Sequence, residues 1–280
     1  MPEHPWHGLT VSQIEDLTQP LGFLSFLECF KSAYQLLTLP GAWQRLTEDL
    51  CLYLESQGIT KADVHYAPGV ALQRHQVDLQ RIHGEIEQGL RQFPAVSISW
   101  VLDTVINCGA PFMEETLRRV SRTPLSGLRG FSIGGGLPDL DMTSLLPLFD
   151  QAASQGLTLL AHVGEVDGWE NIDILLEHTD IRRIAHGLAA AASERTLQRL
   201  ARRKVMVDLC LTSNLCTQRV PHLDAHPLPQ FLAAGVPVSL NSDDPFFFKT
   251  TLHSELATAA NLVGESAVEK IVSSMPKYAL

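Results

Sequence analysis

The chain has no run of Lys or Arg longer than Arg202-Arg203-Lys204, and its 280 residues carry a formal charge of −10 with a pI near 5.5. A surface so poor in clustered cations cannot neutralise a phosphate backbone, which excludes a DNA or RNA polymer as partner. Long apolar runs are missing too. No stretch approaches the roughly 18–20 uninterrupted apolar residues of a membrane span, and the opening MPEHPWHG lacks the basic-then-apolar pattern of a signal peptide. A cytoplasmic protein with no membrane partner is expected. The five cysteines, at 29, 51, 108, 210 and 216, are an odd number and never form a CxxC pair, so they offer no structural zinc site and read as reduced thiols, most of them in the core. Internal repeats, low-complexity tracts and Ser/Gly-rich linkers are absent as well. With 45% hydrophobic residues the chain can fill one large core, so residues 1–280 read as a single domain whose first 20 residues are the least defined by pattern.

What the chain does have is alternation. Trp43, Leu46, Leu50 and Leu54 fall on one helical face and Leu79, Ile82, Ile86, Leu90 and Phe93 on another, with Val64 and Tyr66 marking a short strand between them. Val96, Ile98, Trp100 and Leu102 recur at period two ahead of a helical stretch around 113–122. A strand near 128–133 then precedes a helix that carries Leu145, Leu148, Phe149 and Ala152 and stops at Gly156. Further strands are expected at 157–161, 182–185, 205–210 and 236–240, with helices such as 193–203 between them. Seven such units build either an open doubly wound sheet or a (β/α)8 TIM barrel with one strand fewer. Four of the later strands stop in short polar clusters: AHVGE at 161–165, IAHG at 184–187, CLTSN at 210–214 and SLNSDDP at 239–245. An open sheet gathers its ligands at one switch point, whereas a barrel draws groups from successive strand ends, so the spread of the clusters favours the α/β barrel.

Each cluster has a chemical reading and a plainer one. His162 is placed to ligate a metal through an imidazole nitrogen, with Glu165, past a glycine bend, as a proton shuttle; the plainer reading is a strand-end histidine and a helix-start charge. Asp243 and Asp244 can divide their labour between a cation and a substrate hydrogen bond, where an ionised Asp244 suits an N–H partner, or they only cap the helix that Pro245 opens. His186, before Gly187, is a lone strand-end histidine of a kind more often structural than catalytic. Thr212, Ser213 and Asn214 satisfy a strand-to-helix turn as readily as they bind a ligand. The GGG at 134–136 lacks the Lys-Ser/Thr that would make a phosphate loop of it.

In this order and at these spacings, the clusters resemble the adenosine deaminase family of the amidohydrolase superfamily. AHVGE is similar to that family's H-A-G-E, RIAHG to its G-H-G, CLTSN to its C-P-T-S-N, and SLNSDDPFFFKTTL to its S-L-N-T-D-D-P with the helix after it. The resemblance implies a TIM barrel of the metal-dependent hydrolase type and a zinc-dependent deaminase acting on an aminopurine nucleoside of the adenosine type, or on adenine or aminodeoxyfutalosine. It implies His162 and Asp243 as zinc ligands, Glu165 as the group that protonates the purine ring and His186 as the group that activates water together with zinc. Asp244 would hold a ring nitrogen, and Gly135 would touch the ring through its backbone. A small purine is the implied partner, and no oligomeric state is implied.

The chain also departs from that family's pattern. It has no His-x-His, the pair that ends the family's first strand and completes its zinc site, and His4 and His7 stand three apart with no apolar strand before them. Seven strands are one short of a barrel, so one absent N-terminal strand accounts for both deficits. A truncated chain is the expectation, with weak or no zinc binding and with poor solubility from unpaired strand edges. The alternative is a non-catalytic homologue that binds a nucleoside or a partner without zinc. Ser132 and Gly136, in GFSIGGG, stand where the family has acidic residues, which points to a larger or different aminopurine. Residues 262–280 supply only shortened closing helices.

Overall fold

The computed structural model describes residues 3–18, 22–75 and 77–280. Three helices, α1 (Val11–Leu17), α2 (Phe23–Leu36) and α3 (Ala42–Ser56), precede the first strand. Then β1 (Lys61–Tyr66) leads through α4 (Pro68–His75) and α5 (Leu79–Leu90) to β2 (Ser97–Val105), α6 (Ala110–Arg122), β3 (Leu128–Gly134) and α7 (Leu146–Ser154). The chain continues through β4 (Thr158–Val163), α8 (Trp169–His178), β5 (Arg183–His186), α9 (Glu194–Arg203), β6 (Met206–Leu209), α10 (Leu211–Cys216) and α11 (Leu228–Ala233). Last come β7 (Val238–Leu240), α12 (Pro245–Phe248), α13 (Leu252–Val263) and α14 (Glu265–Ser274). The strands are the seven that the alternation predicts. The start of the chain holds more structure than its pattern suggests: the Thr10 hydroxyl caps α1 at Gln13 N while the Gln13 side chain returns to the Thr10 N–H. Among the described residues no helix is long and apolar enough to cross a membrane.

Local chemistry explains where the elements begin and end. Helix α9 starts where the Ser193 side chain accepts from Thr196 N, buries Leu197 and Leu200, and carries Arg202 and Arg203 against its negative C-terminal end before Lys204 turns left-handed at φ +54. In β2 the apolar phase, Ile98, Trp100 and Leu102, joins the core that the helices cover, and so do Phe131 and Ile133 of β3. Phe131 meets Phe149 of α7 edge to face at 5.5 Å. The intervening residues, Ser99, Val101 and Asp103 on β2 and Gly130, Ser132 and Gly134 on β3, turn to the opposite face of the sheet.

All strand pairs are parallel, and the order runs β1 to β7 without a reversal. A doubly wound sheet needs a reversal at its switch point, so the consecutive order assigns the barrel type. The sheet is curled. Neighbouring strands lie about 4.8 Å apart, which would put β1 and β5 about 19 Å apart on a flat sheet, yet the Arg183 guanidinium of β5 binds Asp63 of β1 directly. Arg183 also holds Asp208 of β6 at 2.9 Å, and Ser239 of β7 donates to Asp208 at 2.6 Å. This buried ionic brace spans the inner face. Among the described residues β7 and β1 are not paired with each other, so each presents a free edge. Leu280 reaches the inner face there, accepting from the Ser99 hydroxyl at 2.9 Å.

Candidate active site at the strand ends

The inner face turns polar toward the C-terminal ends of the strands, and the groups singled out in the sequence lie there. After β4 the chain bends at Gly164, φ +76, whose N–H is held by Asp167 Oδ1 at 2.8 Å. This bend brings Glu165 back over the sheet. Glu165 is not a helix-start charge, because α8 begins four residues later and its first-turn acid is Glu170. Asp244 takes the N-cap position of α12 but makes no capping hydrogen bond with its side chain. The plainer readings of both acids therefore lose their support.

His186 and Asp243 are held in left-handed backbone conformations, φ +62 and +54, which cost non-glycine residues on the order of 1–3 kcal/mol and gather at functional sites. His186 Nε2 lies 3.7 Å from Glu165 Oε2 and 4.0 Å from Asp243 Oδ2. Its tautomer follows from a chain of hydrogen bonds. The backbone N–H of Leu228 donates to His226 Nδ1 at 3.1 Å, so the proton of that neutral ring is on Nε2, which faces Asn214 Oδ1 at 3.3 Å. The Asn214 amide must then donate from Nδ2 to His186 Nδ1, at 3.2 Å. His186 is left with an Nε2–H directed at two carboxylates. Asn214, which satisfies a turn in the sequence reading, sets the proton position of the ring beside it.

His162, from β4, has its Nδ1 at 3.2 Å from Ile133 O and 3.3 Å from Ser132 Oγ. Beside it stand two residues that the cluster reading passes over, His65 at the end of β1 and Asp103 at the end of β2. Asp103 Oδ1 is 3.9 Å from His65 Nδ1 and 3.7 Å from His162 Nδ1. Asp103 pairs in register with Ser132, and a Cβ at Gly134 would fall 2.0 Å from Asp103 Oδ2, so the carboxylate occupies space that only a glycine leaves open. Among the described residues, two groups of side chains are close enough to hold a metal ion: His65, Asp103 and His162 in one, His186, Cys210 and Asp243 in the other. The structure thus divides His162 and Asp243 between two groups and gives each more partners than the sequence reading allows. The donors of the first group fit a divalent ion, and its His65 Nδ1 and Asp103 Oδ1 are buried with no hydrogen-bond partner among the described residues. His4, by contrast, is spent on α2, with its Nε2 2.8 Å from Ser32 O.

The electrostatics separate the acids. Burial, opposed by His186, raises the Glu165 carboxyl above its usual range, the direction that favours its protonated form. For Asp103 burial also acts upward, but the His162 and His65 rings outweigh it and hold the carboxyl low. Burial and the adjacent Asp243 charge push Asp244 well up, toward the protonated donor form and away from the ionised acceptor expected from sequence. Gly135, at φ +84, is locked by Asn107, whose side chain bonds both the N–H and the C=O of Gly136 at 3.2 and 3.0 Å. Helix α2 leans over this edge: Phe26 stacks on Phe248 at 5.1 Å, and Arg219 lies 4.6 Å above the Phe23 ring.

The signal that would have located His65 and Asp103 is strand phase. Val64 and Tyr66 mark the outward phase of β1, so Asp63 and His65 must face inward. The same parity along β2 puts Ser99, Val101 and Asp103 inside.

Comparison with known proteins bears on the family and the fold. The model of the family described as adenosine deaminase matches residues 6–271. The chain is 32% identical over 247 residues to an aminodeoxyfutalosine deaminase of Streptomyces coelicolor, which covers 86% of this chain and 64% of that protein. It is 30% identical over 258 residues to an adenosine deaminase of Edwardsiella ictaluri, covering 91% of this chain and 77% of that one. Its fold superposes on the crystal structure of adenine deaminase from Arthrobacter aurescens with a TM-score of 0.81 at 21% identity, over 91% of this chain and 78% of that one.

Proposed function

Because the chain belongs to the adenosine deaminase family, we propose that it hydrolyses the exocyclic C–N bond of an aminopurine, with reacting and binding groups drawn from the ends of β4, β5 and β7. The observation that carries this reading is the approach of His186 Nε2 to both Glu165 and Asp243, at 3.7 and 4.0 Å. In the reaction, water adds to the ring carbon that bears the amino group, the neighbouring ring nitrogen takes a proton, and ammonia leaves to give the oxo product. Glu165, whose carboxyl burial shifts toward the protonated form, delivers the proton to the ring nitrogen, then takes up the proton that the added water releases and passes it to the departing amino group. The Nε2–H of His186, fixed through Asn214 and His226, donates to the attacking oxygen and orients it. Asp244 bonds a second ring nitrogen, and the exposed backbone at Gly135 borders the ring. His162 and Asp243, each within its own group of donors, are the residues that would hold a metal, and zinc would supply there a water with its pKa lowered to about 7. Ser132 and Gly136, where the family has acidic residues, favour adenine or aminodeoxyfutalosine over adenosine.

Ammonia release from adenosine, adenine and aminodeoxyfutalosine tests the reading. Replacing Glu165 by Gln should lower release at least on the order of 10²–10⁴-fold while leaving metal content unchanged. Undiminished release by that variant overturns the assignment.

A further inference from the structure

We propose that His65 and Asp103 are themselves metal ligands, so that the chain assembles a divalent-cation site from His65, Asp103 and His162 on its first, second and fourth strands. The proposal deepens the deaminase reading and rests on it only in placing a metal at His162.

The geometry is that of a site built for an ion. The ligand atoms of the three residues lie within 4.8 Å of one another, with Asp103 Oδ1 3.9 Å from His65 Nδ1 and 3.7 Å from His162 Nδ1. Around one tetrahedral zinc, with bonds of about 2.0–2.2 Å, ligand atoms stand about 3.3–3.5 Å apart. Asp103 Oδ1 stands only a few tenths of an ångström beyond that spacing from each ring nitrogen. These spacings are too long for hydrogen bonds, and His65 Nδ1 and Asp103 Oδ1 are both buried without any other partner. A buried polar atom left in that state is destabilising, and here two of them face each other. A cation between them answers both deficits.

The surroundings make room for this carboxylate. Gly134 alone leaves space for Asp103 Oδ2, and Ser132, the register partner of Asp103, adds only a hydroxyl beside His162. Two imidazoles and one carboxylate form a mixed nitrogen and oxygen set that suits zinc better than calcium or magnesium, which favour oxygen donors. Three protein ligands also leave a fourth position open.

The test uses the whole chain, stripped of metal and titrated with zinc against a chromophoric chelator. About one zinc per chain is expected. His65→Ala and Asp103→Ala should each weaken binding at least on the order of 10–100-fold, the loss that even an outer-shell partner causes, with folding confirmed by far-UV circular dichroism and thermal melting. Zinc-edge X-ray absorption separates a ligand from a neighbour: the imidazole contribution should fall by one ring in His65→Ala. If the wild-type chain takes up no zinc, or His65→Ala keeps both its affinity and its imidazole count, the proposal is overturned. Loss of binding in Asp243→Asn with wild-type affinity in both other variants also overturns it, while leaving the deaminase reading intact. His65-dependent zinc binding in a chain that releases no ammonia from any aminopurine would sink the deaminase reading and uphold the site.

Discussion

His226 performs no chemistry of its own, yet the proton placement at His186 depends on its staying neutral. Burial, with His186 nearby adding to it, lowers its pKa to about 4. The unfolded chain therefore takes up a proton near pH 6.5, before the folded chain does, and stability must fall as the pH drops from 6.5 toward 4. The loss is on the order of 1 kcal/mol per pH unit, about 3 kcal/mol across the window, with none from this group above pH 7. Urea unfolding at stepped pH checks this, and His226→Gln should flatten that part of the profile. At this scale the sequence is legible wherever a residue interrupts an apolar run: His162, Glu165, His186 and Asp243 are visible for that reason. His65 and Asp103 are not, because each sits in the polar phase of a strand, where a charged residue breaks no pattern. Asn214 is hidden by its own turn, since nothing local shows that its amide reaches rings on two other segments.

Whole strands are easier to read than helix faces. The seven strands follow from period-two alternation and glycine stops, but the α3 face is drawn wrongly from its leucines. Leu46 is 47% exposed, and the buried stripe is Trp43, Thr47, Cys51 and Leu54. Thr47 enters the core because its hydroxyl bonds Trp43 O at 2.8 Å, and α5 closes on it through Gly89, where a Cβ would sit 2.9 Å from Thr47 Cβ. A back-bonded threonine thus counts as apolar, which a hydropathy pattern does not register. The strands also differ in how well they are covered. β1 and β7 each have a sheet neighbour on one side only, whereas β3, β4 and β5 have two. Amide hydrogen exchange followed by mass spectrometry should show β1 and β7 exchanging ahead of those three. Equal protection across all seven would mean that the edges are covered.

Across the molecule, the Arg183 brace joins strands from both ends of the sheet. Asp63, Arg183 and Asp208 are each at most 13% exposed in their side chains, so removing the cation strands two buried carboxylates. Arg183→Ala should cost about 3–5 kcal/mol in urea unfolding. An unchanged midpoint would show that water reaches the two acids and that the brace holds nothing. The barrel type itself is legible in sequence, since clusters at four successive strand ends need a curled sheet to meet; the brace is not, because Asp63 and Arg183 lie 120 residues apart. Gly134 carries a last consequence, for inheritance. A Cβ there would fall 2.0 Å from Asp103 Oδ2, so the two positions do not drift separately: a lineage that gains a residue at 134 must swing the acid at 103 out of its present place, and one that keeps the acid where it stands is bound to its glycine.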